Sequence, residues 1–245
     1  EERAFREAVA NALTHRDYAR LGAAHIKLEN EALEVSNPGG LVEGVTLQNL
    51  RTVPPHPRNP ALADAFKRIG LVERAGRGVD LIYRGVLRYG RPRPNYSRTS
   101  STSVVVRLSM AEADLDFLRL ILEEEERRGG PLPIDSLVVL AELRESRRLT
   151  SKDAAERLGT DQPEVRRILE RLTEAGLVDA HGAKRGRSYT LSSRMYREMG
   201  RKSEYVRQSG FDRIQQDEMV IKYAREHGRI TRRELITFCF HLEQL

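Results

Sequence analysis

Three short stretches of this sequence carry residue types and spacings suited to chemistry. In Arg6-Glu-Ala-Val-Ala-Asn11 a carboxylate, Glu7, and an amide, Asn11, stand four residues apart. On a helix that spacing puts both on one face, where a carboxylate can polarise a water and an amide oxygen can ligate a metal. Two glycine turns follow. Ser36-Asn-Pro-Gly-Gly40 closes a run of strand character and Gly76-Arg-Gly78 opens a helical one, where free backbone N–H groups favour phosphate. The third stretch is basic. In Asp161-Gln-Pro-Glu-Val-Arg-Arg-Ile-Leu-Glu-Arg-Leu172 the apolar Val165, Ile168, Leu169 and Leu172 recur at i, i+3, i+4, i+7 and turn Gln162, Arg166, Arg167, Glu170 and Arg171 outward. That outward face suits a major groove. Shortly after it, His181-Gly-Ala-Lys-Arg-Gly-Arg187 offers Lys184, Arg185 and Arg187 on a glycine-rich turn suited to phosphates.

The elements that must hold these groups are legible as periodicities. Ala4 to about Tyr18 lacks Pro and Gly and predicts a helix. His25 to Asn30 and Ala32 to Ser36 alternate about Asn30-Glu31 and predict a β-hairpin. The proline-rich loop 53–60 leads into a helix with Leu62, Ala65, Phe66 and Ile69 on one side, expected to be capped by Asn59 and ended by Gly70. Val79, Ile82, Tyr83 and Val86 mark another helix, and Ser103 to Leu108 a strand, without a βαβ repeat. The block 1–108 is therefore expected to be α+β. Residues 111–128 form an amphipathic stripe before the break Gly129-Gly-Pro-Leu-Pro133. From Asp135 three helical stripes and the pair Leu177–Ala180 and Ser188–Leu191 follow in the order of a winged helix-turn-helix, placed at 135–195. Ile214 to Glu226 and Ile230 to Cys239 repeat its opening layout, so 211–245 is expected to be a partial second winged helix.

Charge follows the same division. The net charge of +6 splits into +6 over residues 1–108, −4 over the linker helix 109–134 and +4 over 135–245, and only six of the 42 basic residues are Lys. At 245 residues the chain has room for one to two domains. No uninterrupted apolar run approaches the roughly 18 residues of a spanning helix, so no membrane partner is expected. The opening residues form no signal pattern and lack an initiating Met, which suggests an internal fragment. The single Cys239 forms no intrachain disulfide and suits a core thiol, and the expected compartment is the cytoplasm.

Taken in order, Glu7 with Asn11 and the two glycine turns resemble the Bergerat-type ATPases of the gyrase and histidine-kinase class. Arg6 to Tyr18, Ser36 to Gly40, Pro57-Arg-Asn-Pro60 and Gly70 to Gly78 more closely resemble the bacterial transcriptional regulators labelled RecG-like. In that family a Schlafen or AlbA-like domain precedes the ATPase-like domain and winged helices follow it. The resemblance implies a Bergerat-like α/β sandwich binding ATP and Mg²⁺. Glu7 would be the general base and Asn11 the Mg²⁺ ligand. Asn37, Gly39 and Gly40 would form the adenine box, Gly76, Arg77 and Gly78 the phosphate cradle, and Val45 to Arg74 a short lid. Asn37 stands where such ATPases carry Asp, which gives up about 1 kcal/mol, or about fivefold in affinity. A helicase motor is excluded for these residues, which contain no Gly-Lys dipeptide and so no Gly-x-x-x-x-Gly-Lys loop. The expected function is a DNA-binding regulator with an ATP-binding sensor domain, its partners double-stranded DNA and further copies of the chain. Two alternatives stay open: a nucleotide-independent oligomerisation or docking scaffold, and a slow ATPase coupled to an upstream nucleic-acid-acting domain.

Overall fold

The computed structural model describes residues 2–72, 77–182, 187–199, 221, 222, 224–226, 228 and 229. The chain divides into two compact units between Leu118 and Arg119.

Unit 1 is an antiparallel sheet covered on one face by helices. It runs α1 (Glu2–Thr14), β1 (His25–Glu29), β2 (Ala32–Pro38), α2 (Pro60–Arg68), α3 (Gly78–Leu87) and β3 (Ser103–Ser109), with strand order β1-β2-β3. The predicted hairpin forms about a two-residue turn in which Asn30 takes the left-handed conformation such turns demand, φ 41°. Alternation in β2 turns Leu33, Val35 and Asn37 to the helix side, opposite Leu108, Val106 and Val104 of β3. The buried side of α1 is built from Ala4, Ala8 and Ala12, small enough for the helix to lie close to α3, whose Ile82, Val86 and Leu87 complete the core.

Two expectations fail here, and for one reason. The first helix stops at Thr14 rather than Tyr18, and Asn59 does not cap α2 through its side chain. Instead Asn59 Nδ2 donates to the carbonyls of Thr14 (2.9 Å) and Arg16 (2.8 Å), so the α2 entry residue satisfies the frayed end of α1.

Unit 2 is a winged helix with additions. Its helices are α4 (Leu115–Arg128, beginning in unit 1), α5 (Ile134–Ser146), α6 (Ser151–Leu158), α7 (Gln162–Glu174) and α8 (Ser193–Glu198). Its strands are β4 (Leu149–Thr150), β5 (Val178–His181) and β6 (Ser188–Leu191), in sheet order β4-β6-β5. The stripe predicted for α7 packs as expected, with Val165, Ile168, Leu169 and Leu172 all buried. Thr150 and Asp153 form a reciprocal capping box on α6, Gly159 ends it at φ 65°, and Asp161 caps α7. Helix α4 starts at Leu115 rather than residue 111, because the Asp114 carboxylate accepts from Phe117 N–H (2.9 Å) and sets the first turn. Strand β4 and helix α8 were not anticipated; Ser192 caps α8. Of the second winged helix only short pieces of 221–229 are described, and Cys239 lies outside the described residues. Among the described residues no helix is long and apolar enough to cross a membrane.

Candidate functional site

Between the helix layer and the inner face of the unit 1 sheet lies a cavity of about 220 Å³. Five of the residues singled out in the sequence line it: Glu7 and Asn11 from α1, Asn37 from β2, Gly40 from the following turn and Arg77 at the start of α3. The helix spacing that put Glu7 and Asn11 on one face therefore turns them toward the strand carrying Asn37. Asn37 sits at the polar end of an otherwise apolar strand face and is 3% exposed. Its Nδ2 donates to the Pro38 carbonyl (3.1 Å), leaving Oδ1 as the acceptor. The Asn11 amide has no hydrogen-bond partner among the described residues.

The glycine turn has a packing reason independent of any ligand. Gly39 has φ 95° and a Cβ there would stand 2.7 Å from Asp17 Cβ; one on Gly40 would stand 2.6 Å from the Ser101 carbonyl oxygen. Arg58 fastens this turn to the end of α1, donating from Nε to the His15 carbonyl (3.2 Å) and from Nη2 to that of Gly40 (2.9 Å). Pro57-Arg-Asn-Pro60 thus acts as a clasp between α1 and the Ser36–Gly40 turn. Gly78 lies beneath Glu7, where a Cβ would be 2.0 Å from Glu7 Oε1. The 5%-exposed Glu7 carboxylate consequently rests against the first residue of α3, at the positive end of the helix. Gly76 lies outside the described residues.

Sequence reasoning missed several residues around this cavity. His15 lines it with His56, and its imidazole is held below its ordinary pKa by burial, then by Arg58 and His56. Tyr96 also lines it, and burial pushes its phenol well above the ordinary value. Arg51, from the expected lid, pairs with Asp80 of α3 (3.1 Å) and lies over the Tyr83 ring at 5.3 Å. His15, eight residues after Glu7 and four after Asn11, continues their helical spacing and could have been found by it; Arg51, His56 and Tyr96 come from loops that have no period. A metal held by three or more His, Cys, Asp or Glu has no candidate among the described residues. The cavity lining instead holds the amides of Asn11 and Asn37 and the carboxylates of Glu7 and Asp80, the last paired with Arg51. Asn11 could give one oxygen to Mg²⁺, an ion that takes few protein ligands and fills its shell with phosphate and water oxygens.

The second group of predicted residues lies on the surface of unit 2. Arg166, Arg167 and Arg171 are exposed along α7, while Gln162 is half-buried and donates to Ser151 Oγ (2.9 Å). Arg167 pairs with Glu164 (2.9 Å), and Arg171 donates to the Arg167 carbonyl (3.3 Å). Arg187 is exposed at the root of the wing, its guanidinium 5.5 Å from the Tyr189 ring centre. Lys184 and Arg185 lie outside the described residues. Beneath the wing His181 is 6% exposed. Thr190 Oγ1 donates to the Leu191 carbonyl and so accepts from His181 Nε2 (3.0 Å). Burial lowers the His181 pKa to about 4, against the opposing pull of Asp179.

Comparison with known proteins resolves the same two parts. Residues 22–108 match the family described as "Putative ATP-dependent DNA helicase recG C-terminal", and residues 132–188 match the MarR family. The DIP2311 protein from Corynebacterium diphtheriae is 27% identical over 82% of this chain, with a TM-score of 0.67. The chain spans 41% of that protein's length. Wild-type apo MarR from E. coli and a mutant E. coli MarR complexed with operator DNA are each 19% identical over 51% of the chain. The matches cover 85% and 82% of the lengths of those two MarR proteins, with TM-scores of 0.27. No curated protein matches the chain. The molecule is an N-terminal α/β domain similar to the RecG C-terminal family, followed by a MarR-like winged helix domain.

Proposed function

We propose that this chain is a DNA-binding transcriptional regulator whose α/β domain senses ATP with Mg²⁺. The observation that carries the DNA reading is the α7 surface: three exposed arginines on a helix whose opposite stripe is wholly buried, with Arg187 also exposed, at the wing. In this reading α7 enters a major groove, Arg166 and Arg167 reach base edges or flanking phosphates, and Arg171, Lys184, Arg185 and Arg187 hold the backbone. The sensor reading is favoured by the convergence of Glu7, Asn11, Asn37 and Arg77 on one cavity. Asn37 Oδ1 would accept from the adenine amino group, Asn11 would hold Mg²⁺, and Arg77 with Gly76 and Gly78 would meet the phosphates. The bound Mg²⁺ would neutralise phosphate charge beside the buried Glu7. Further copies of the chain and a Schlafen or AlbA-like domain upstream of Glu1 belong to the same proposal.

One experiment addresses both parts: duplex-library selection with and without ATP and Mg²⁺, followed by salt titration of the enriched sequence. Replacing Lys184, Arg185 and Arg187 by Ala is expected to weaken all duplexes about equally and flatten the salt dependence. Arg166→Ala is expected to cost about 1–3 kcal/mol on the preferred site alone. ATP is expected to shift affinity in the parent and not in Asn11→Ala. Absence of any enriched duplex, with wing variants indistinguishable from the parent, would sink the DNA reading; a shift by ATP that survives Asn11→Ala would sink the sensor reading.

A further inference from the structure

The two edges of the unit 1 sheet are finished differently. Along β3 the edge is covered: Asn95 exchanges both backbone hydrogen bonds with Arg107 (2.9 and 2.8 Å), and Thr99 Oγ1 engages both Val105 N and Val105 O at 3.1 Å. Along β1 no strand or loop pairs with the outer edge among the described residues. The apolar rows of the inner face nevertheless continue onto it. Val106 and Val35 are 6% and 2% exposed, but Ile26, next in that row, is 53% exposed. In the neighbouring row Leu108 is 4% exposed and Leu28 is 69% exposed.

We infer that β1 is a self-pairing edge, joining two copies of this chain through an antiparallel β1–β1 contact centred on Lys27. The register follows from the hairpin. A two-residue turn makes Glu29 and Ala32 a hydrogen-bonded pair, so His25, Lys27 and Glu29 spend their backbone groups on β2, and those of Ile26 and Leu28 point outward. With Lys27 on the two-fold axis, Ile26 of each copy faces Leu28 of the other. Four backbone hydrogen bonds form, and both apolar rows run on across the junction into a six-stranded sheet. On the opposite face His25 of each copy lies beside Glu29 of the other, whose carboxylate is shared with Lys27, Arg98 and Arg107 of its own copy. A one-residue shift would put the apolar side chains on opposite faces. A two-residue shift one way would set Ile26 against Asn30, whose φ of 41° cannot extend a strand, and the other way would set Leu28 against Ala24, outside β1. The cost of the chosen register is Lys27 facing its own copy, each ammonium held by its own Glu29.

This inference stands apart from the DNA and nucleotide readings, and its test uses neither ligand. Sedimentation equilibrium of the 245-residue chain over a series reaching about 1 mM is expected to show a reversible dimer. Leu28→Lys is expected to weaken it by at least about tenfold, with an unchanged circular dichroism spectrum because the side chain is already exposed. Lys27→Thr removes the axial repulsion and is expected to tighten it by up to about fivefold. In a Cys239→Ser background, Lys27→Cys is expected to give a disulfide-linked dimer on mild oxidation. A chain monomeric throughout the series would assign Lys27 to blocking the edge and overturn the inference. So would a dimer indifferent to Leu28→Lys, or a reversible dimer in which Lys27→Cys does not cross-link.

Discussion

Helix ends in the two units are completed by different means. In unit 2 three helices have local partners: Thr150 and Asp153 cap α6 within one turn, Asp161 accepts from Glu164 N–H on α7 (2.7 Å), and Ser192 caps α8, while α5 follows Pro133 without a side-chain cap. In unit 1 neither Asn59 nor Arg77 gives its helix a side-chain cap; the end of α1 is satisfied by Asn59, 45 residues away from Thr14, and Glu7 of α1 lies against the start of α3. Locally completed helices make unit 2 a surface on which side chains are displayed. Helices completed by one another make unit 1 a cage around a cavity.

The largest effect expected from this difference is acid sensitivity in unit 2. His181 has a folded pKa of about 4 against an ordinary 6.5, so the unfolded chain takes up its proton first. Its stabilising contribution is full above pH 6.5, falls as the pH drops through the interval to about 4, and is gone below that, a loss of about 3 kcal/mol. Urea unfolding followed through unit 2 at pH 7, 5.5 and 4 should trace that slope. His181→Gln should remove it, and a slope unchanged in that variant would place the acid sensitivity elsewhere. His15 in unit 1 shifts in the same direction, so the cavity also weakens as the pH falls below 6.5.

A second test concerns the cage itself. Gly78→Ala drives a methyl group into the Glu7 carboxylate, and with that carboxylate buried the expected cost is about 2 kcal/mol in the unfolding of unit 1. Because the clash involves one residue pair, Glu7→Ala should absorb most of the cost, giving a strongly non-additive double-mutant cycle. Additive losses would mean that Gly78 matters for its backbone conformation and not for Glu7.

What the sequence disclosed follows the same contrast. The α7 stripe, the hairpin turn at Asn30-Glu31 and the wing strands all rest on partners within a few residues or on one period, and all were legible. The cap expected of Asn59 was a sound local inference defeated by a distant competitor: its Nδ2 donates to two carbonyls at the end of α1, and its Oδ1 accepts from no N–H of the α2 first turn. Glu7 and Asn11 were found because a helix face has a period, and Asn37 because the Ser36–Gly40 turn carries the family resemblance. His56, Arg51 and Tyr96 were missed because they reach the cavity from segments with no period, whereas His15 shares the spacing of Glu7 and Asn11 and was legible in principle.

The smallest predicted effect sets the scale for local completion. Thr150→Ala removes one half of the capping box, in which the hydroxyl accepts from Asp153 N–H (3.2 Å) while Asp153 accepts from Thr150 N–H (2.9 Å). The expected loss is about 1 kcal/mol, because water can reach the exposed N-terminus and replace part of the bond. The backbone bond from Thr150 leads the causes that hold the Asp153 carboxyl below its ordinary pKa, so the folded state resists protonation. Its contribution is present above pH 4 and is lost as the pH falls through the depressed folded value. Asp153→Asn should therefore flatten the acid limb below pH 4 and leave the His181 step between 6.5 and 4 in place. Should Asp153→Asn abolish the His181 step as well, the α6 cap and the wing would be energetically coupled, and unit 2 would share the long-range construction of unit 1.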